Sequence, residues 1–138
     1  MKGTWKGGLT SGEGRVSSAS TVLNDTPYSF GTRFEQESGT NPEELIAAAH
    51  AACYSMAFSA TLEAKDYSPQ EIHTRATCSL EPKEGGGFHI TKMRLETRGK
   101  VDGMDGATFK EIAREAEAGC PVSNALRSIE IELDAALA

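Results

Sequence analysis

Cysteine is scarce in this sequence. Three residues, Cys53, Cys78 and Cys120, stand in a chain of 138. An odd number at wide spacing builds no disulfide framework. No CxxC pair occurs, which removes zinc ribbons and thioredoxin-type motifs from consideration. No run of Lys or Arg forms a basic stripe, and the formal charge is −6, so nucleic acid is excluded as a partner class. The opening "MKGTWKGGLTSGEG" lacks the apolar stretch of a signal peptide. The longest apolar run, Leu45 to Ala49, is too short to span a bilayer. These absences point to a protein of the reducing cytoplasm, with no membrane partner, whose thiols are reduced at rest. The hydrophobic share, 38%, is modest, which leaves room for a partner subunit to complete the core.

What is present fits one domain over residues 1–138. "GTWKGG" and "GRVSSAS" read as two strands around the turn "LTSGE". "TVLNDTPYSFG" continues as strand and turn, and "TRFEQESGT" reads as a polar loop. The pattern then changes. Asn41 suits an N-cap, Pro42 the first helical position, and Glu44 an N-x-x-E capping arrangement. Nothing breaks the helix from there to about Lys65. Its many alanines predict a long, central, buried helix that something else approaches closely. Ile72, Thr74, Ala76, Cys78 and Leu80 then alternate with polar residues, "EGGG" turns the chain, and Phe88 to Leu95 returns. A phase shift near Thr91 predicts a bulge in this long hairpin. "DGATFKEIAREAEAGC" is a second helix that Gly119 can close, "PVSNALR" a short third, and "SIEIELDAAL" a final strand. The order β-β-β-α-β-β-α-α-β is an α+β arrangement with mostly antiparallel strands.

The thiols differ in setting. Cys78 shares a strand face with Ile72, Ala76 and Leu80 and reads as a buried small hydrophobe. Cys120 lies between Gly119 and Pro121, where a helix start would favour a thiolate and a tight turn would simply want a small residue. Cys53 lies deep in the alanine-rich helix, and from position alone it reads as buried and inert. Reactivity there needs a positive partner, for which Arg15, Arg33 and His50 are candidates. His50, three residues before Cys53, otherwise reads as a core or interface histidine. Arg33 sits between Phe30 and Phe34, which argues for a buried stem. Glu43 and Glu44 are capping acids. Ten residues of helix put Glu43 about 15 Å from Cys53 along the axis, so one could serve the other only across a broken helix or from a second subunit. His50, Cys53 and Cys120 are also conceivable metal ligands, but no motif spacing supports a closed site.

"YSFGTRFE", "GTNPEELIAAAHAACYSMA", "FHITKMRLE" and "AGCPVSNAL" together resemble the OsmC and organic hydroperoxide resistance (Ohr) superfamily, nearly end to end. "FGTRFE" leans toward the OsmC branch. The resemblance implies an OsmC-like fold in an intertwined homodimer, with active sites at the subunit interface. It implies a thiol peroxidase acting on organic hydroperoxides, and more weakly on hydrogen peroxide, in oxidative or osmotic stress. By motif, Cys53 in "HAAC" matches the peroxidatic cysteine and Cys120 in "AGCPVS" the resolving one, paired in a redox-active disulfide. Glu43 in "NPEEL" matches the active-site glutamate. Arg33 in "GTRFE" is assigned as the active-site arginine, with Arg15 in "GEGR" held in reserve. Cys78 matches no catalytic position. No cofactor is implied; the reductant would be a dithiol, of the lipoyl type at family level. A non-catalytic module that binds a small apolar ligand or a metal in the same pocket is the alternative.

Overall fold

A computed structural model describes residues 1–138. The elements run β1 (Lys2–Lys6), β2 (Glu13–Ser17), β3 (Thr26–Tyr28), α1 (Phe30–Phe34), α2 (Pro42–Glu63), β4 (Pro69–Pro82), β5 (Phe88–Val101), α3 (Gly106–Gly119), α4 (Pro121–Ala125) and β6 (Glu130–Leu137). Contacts divide the chain into two compact units, Met1–Leu45 and Ile46–Ala138.

The first unit is built on an antiparallel sheet, β1-β2-β3. Its register places Trp5, Gly14 and Tyr28 in one row across the three strands. Glycine is needed in the middle, because a Cβ there would come within 2.4 Å of the Tyr28 ring. The bare backbone lets Trp5 and Tyr28 close over it, with ring centroids 5.6 Å apart. The loop expected over "TRFEQESGT" instead starts as helix α1. Ser29 is the reason: its hydroxyl accepts from Thr32 N–H at 3.1 Å, and Thr32 Oγ1 accepts from Ser29 N–H at 2.9 Å. That reciprocal cap offsets the poor helix propensity of Gly31 and Thr32. Asn41 caps α2 as expected, its Oδ1 accepting from Glu44 N–H at 2.8 Å. The Glu44 carboxylate does not complete the box; it accepts from the Thr40 hydroxyl.

The second unit pairs β4 and β5 as a long antiparallel hairpin, with β6 parallel to β5. The bulge falls where the phase shift put it: Ser79 faces Lys92 and Leu80 faces Ile90, leaving Thr91 as the extra residue. Gly85, Gly86 and Gly87 all have positive φ in the connecting turn. Helix α3 ends at Gly119 as a helical residue, and Cys120, not a left-handed glycine, is its C-cap. The core gathers Tyr54, Phe58 and Leu62 of α2, Leu95 and Val101 of β5, and Phe109, Ile112, Ala113 and Ala116 of α3. The rings of Phe58 and Phe109 pack at 4.9 Å. Ser55, Thr74 and Thr97 link α2 to the sheet by hydroxyl hydrogen bonds of 2.9 and 3.2 Å.

Helix α2 departs from the expectation of general burial. Ala47, His50, Tyr54, Phe58 and Leu62 form its buried stripe, at the spacing of one helix face. Ala48, Ala49, Ala52, Met56 and Ala60 face outward, with Met56 75% exposed. At 22 residues α2 is also long and apolar enough to cross a bilayer by length and composition alone. Alanine explains why no long apolar run announced this: it raises the average without large side chains. Here the Tyr54–Phe58–Leu62 side of α2 forms a wall of the core.

Candidate active site

Helix α1 delivers Arg33, and the first turn of α2 delivers Glu43; the structure brings these two together. Arg33 Nη2 donates to Glu43 Oε1 at 2.7 Å, and Nε lies 3.2 Å from both carboxylate oxygens. Glu43 is only 7% exposed, so its carboxylate is withdrawn from water and is paired with the guanidinium instead. The fork is side-on, which leaves Nη1 outside the pair. The Arg33 guanidinium also lies 5.1 Å from the centre of the Phe34 ring. Asn41 ties the start of α2 to α1, donating from Nδ2 to Thr32 O at 3.0 Å.

Arg33 lines a cavity of about 450 Å³ within the first unit. Its other lining residues are Trp5, Gly7, Leu9, Tyr28, Ser29, Phe30, Phe34 and Pro42. Of these, the sequence pattern pointed only to Phe30 and Phe34, the residues that flank Arg33. It missed Trp5, Leu9, Tyr28 and Pro42, because only strand register and the cap on α1 turn them to one side. The lone tryptophan was the available signal. Met56 lines a separate shallow depression with Ser55, Ser59, Ala60, Glu63 and Ile72.

Arg15, the reserve arginine, is an exposed residue of strand β2. Its contacts are surface ones: carboxylates of Glu13 and Asp25 at 4.0 Å and the Asp25 carbonyl at 3.3 Å. Such pairs hold an arginine weakly.

The second unit carries the cysteines. Cys53 is half-buried on α2 and packs against the core cluster to which Cys120 belongs. Cys120 is fully buried and serves both as C-cap of α3 and N-cap of α4. No disulfide joins them. Cys78 is half-buried on β4, opposite the fully buried Met93, so the strand face is right but the core position is shallower than expected. His50 is fully buried, with Nε2 at 2.8 Å from Ser123 Oγ. Burial lowers its pKa, opposed by Glu117 and assisted by Arg127. A neutral imidazole offers Cys53 no positive charge, and His50 takes the core role. Ser123 was not singled out in the sequence. No group of three or more His, Cys, Asp or Glu side chains is placed to hold a metal ion. The arrangement offers a held guanidinium beside an apolar cavity in one unit, and two thiols on one core in the other.

Residues 35–134 match the sequence model of a family described as "OsmC-like protein". Among individual proteins, the chain is 52% identical over 130 residues to the "Peroxiredoxin OsmC" of Escherichia coli (strain K12), covering 94% of this chain and 90% of that one. It is 33% identical over 126 residues to the "Organic hydroperoxide resistance protein" of Xanthomonas axonopodis pv. citri (strain 306), covering 88% and 84%. Among solved structures, the organic hydroperoxide resistance protein OhrB of Bacillus subtilis superposes with a TM-score of 0.77 at 28% identity, covering 97% of this chain and 96% of that one.

Proposed function

The chain belongs to the OsmC-like family and is a thiol-dependent peroxidase, and we propose that it reduces organic hydroperoxides through Cys53 and Cys120, with Arg33 held in place by Glu43. The observation that carries this assignment of roles is the Arg33–Glu43 pair: a buried carboxylate fixing a guanidinium on the wall of an aromatic cavity.

Cys53 as thiolate attacks the distal oxygen of the hydroperoxide. The O–O bond breaks, a proton is taken up, and an alcohol leaves; Cys53 becomes a sulfenic acid. Arg33 stabilises the thiolate and the charge gathering on the departing oxygen, since a guanidinium stays charged and offers a planar set of donors. Cys120 then attacks the Cys53 sulfur, forming the disulfide and releasing water. A dithiol reductant returns both thiols by exchange and leaves as its own disulfide. The apolar cavity favours an organic body on the peroxide over hydrogen peroxide.

The working form in this reading is a homodimer. Helix α2 is unbroken from Pro42 to Glu63, and its rise separates Glu43 from Cys53 by about 15 Å. The outward face of Ala48, Ala49, Ala52, Met56 and Ala60 admits close approach by another backbone. A partner subunit's Arg33 and the partner's Glu43 would then serve Cys53. A reducing cytoplasm suits thiols that must return to the reduced state each cycle.

The test is direct. The reduced protein receives one equivalent of cumene hydroperoxide, and its cysteines are mapped by peptide mass. A Cys53–Cys120 disulfide with Cys78 unoxidised is the expected product. Unchanged thiols in a folded protein would end the scheme and favour the apolar-ligand module.

A further inference from the structure

His50 is the one place in the chain where a buried side-chain polar atom, Nδ1, meets no partner. Its other ring nitrogen lies 2.8 Å from Ser123 Oγ, and both side chains are fully buried. A bare lone pair is more tolerable in the interior than a bare N–H. The favoured tautomer therefore carries its proton on Nε2 and donates it to the serine hydroxyl.

The placement of this bond is its significant feature. His50 lies three residues before Cys53 on α2, so the two are neighbours on the helix surface. Ser123 lies three residues after Cys120, which is the N-cap of the five-residue α4. Asn124 N–H donates to Cys120 O at 2.9 Å, so Cys120 and Ser123 belong to one rigid turn. The His50–Ser123 bond is the only hydrogen bond joining α2 to α4. It thus couples the two frames that carry the two thiols, one helical turn away from both.

Disulfide formation is exacting about these frames, because the two Cβ atoms must come to about 3.5–4.5 Å. Cys120 begins fully buried, and Cys53 half-buried. Resting on the peroxidase reading above, we propose that the His50–Ser123 hydrogen bond is a brace that positions Cys120 for attack on the Cys53 sulfenic acid. His50 and Ser123 are positioning residues and exchange no proton with the substrate. In the step they govern, the Cys120 sulfur forms the S–S bond, the Cys53 S–O bond breaks, and the departing hydroxide takes up the Cys120 proton as water. Cys120 is oxidised and the sulfenic sulfur reduced. A second hydroperoxide competes for the same sulfenic acid and carries it to sulfinic acid. The brace therefore sets the ratio of disulfide to overoxidised enzyme.

The experiment mixes reduced full-length protein with excess cumene hydroperoxide in quenched flow, alkylates it, and follows the Cys53 and Cys120 peptides by mass. Ser123→Ala should form the disulfide about five- to tenfold more slowly, the size of effect one lost hydrogen bond supplies. Its Cys53 should still react with hydroperoxide at the wild-type rate, and sulfinic acid should rise in proportion. His50→Leu should behave like Ser123→Ala. His50→Gln, whose amide nitrogen reaches the same place, should resolve within about twofold of wild type. A lower melting temperature with an unchanged ratio of disulfide to sulfinic acid would overturn the brace, as would equal slowing of both steps. If wild type makes the disulfide and both Ser123→Ala and His50→Leu resolve at its rate, the brace alone fails. If wild type makes no Cys53–Cys120 disulfide, the peroxidase scheme fails first and takes the brace with it.

Discussion

Glu43 grips Arg33 from the side, with one oxygen 2.7 Å from Nη2 and both 3.2 Å from Nε, while the carboxylate itself is almost wholly buried. Two donors of the guanidinium are fixed by that carboxylate, and Arg33 lines the cavity that Phe34 and Trp5 also line. Arg33→Ala should therefore slow the reaction of hydroperoxide with Cys53 by about 10²-fold, the usual loss when a group aimed at developing charge is removed. Arg33→Lys should recover little, since an ammonium cannot make the fork. Arg15→Ala should leave the rate within about twofold, because its 4.0 Å contacts are on the surface. Stopped-flow rates on the three variants decide between the two arginines; loss of rate in Arg15→Ala would reverse the assignment.

The cysteines should separate by step. Cys53→Ser should abolish turnover. Cys120→Ser should consume about one hydroperoxide per Cys53, then stall and accumulate sulfinic acid there. Cys78→Ser should turn over as wild type. Peroxide consumption with a dithiol such as dihydrolipoate distinguishes the three, and sustained turnover by Cys120→Ser would remove its resolving role.

The outward face of α2 offers a test of assembly. Ala52→Glu places a charge among Ala48, Ala49 and Met56, where a second backbone is expected to pack. Light scattering should show a shift from dimer to monomer, and peroxidase activity should fall with it. A wild-type monomer at working concentration would remove the shared-site reading.

Acid should act on stability through His50. Burial holds its folded-state pKa below the ordinary value of 6.5, with the Glu117 carboxylate opposing and Arg127 assisting, those two being ion-paired at 2.7 Å. Below that ordinary value the unfolded chain takes up a proton that the folded chain refuses. Stability present above pH 6.5 is thus lost as pH falls, until the folded-state pKa is passed and the loss stops growing. Denaturant melts at pH 7 and pH 5.5, at one fixed protein concentration, should show a larger acid loss in wild type than in His50→Gln. Equal losses would mean that His50 is not buried as a neutral ring.

Phe58 tests the core beneath the thiols. It is fully buried between Tyr54 and Phe109, so Phe58→Ala should cost about 3–5 kcal/mol in denaturant melts. A cost below 1 kcal/mol would mean that α2 does not pack on α3 through this ring.

Much of this protein was legible before any tertiary structure. Local chemistry determined the N-cap at Asn41, the glycine turn after the first long strand and the bulge at Thr91, because each depends on residues close in sequence. The motifs around Glu43, Cys53 and Cys120 carried the family and hence the reaction. Helix α1 escaped notice because its stability comes from a two-residue cap, not from propensity. Only the tertiary structure turned the alanines of α2 outward, seated Trp5 and Tyr28 beside Arg33, and paired Arg33 with Glu43 while leaving Arg15 at the surface. It alone put Ser123 against His50. The physical reason is common to these cases. They are contacts between residues brought together by strand register and helix packing, and a sequence records which side chains are available without recording which of them will meet.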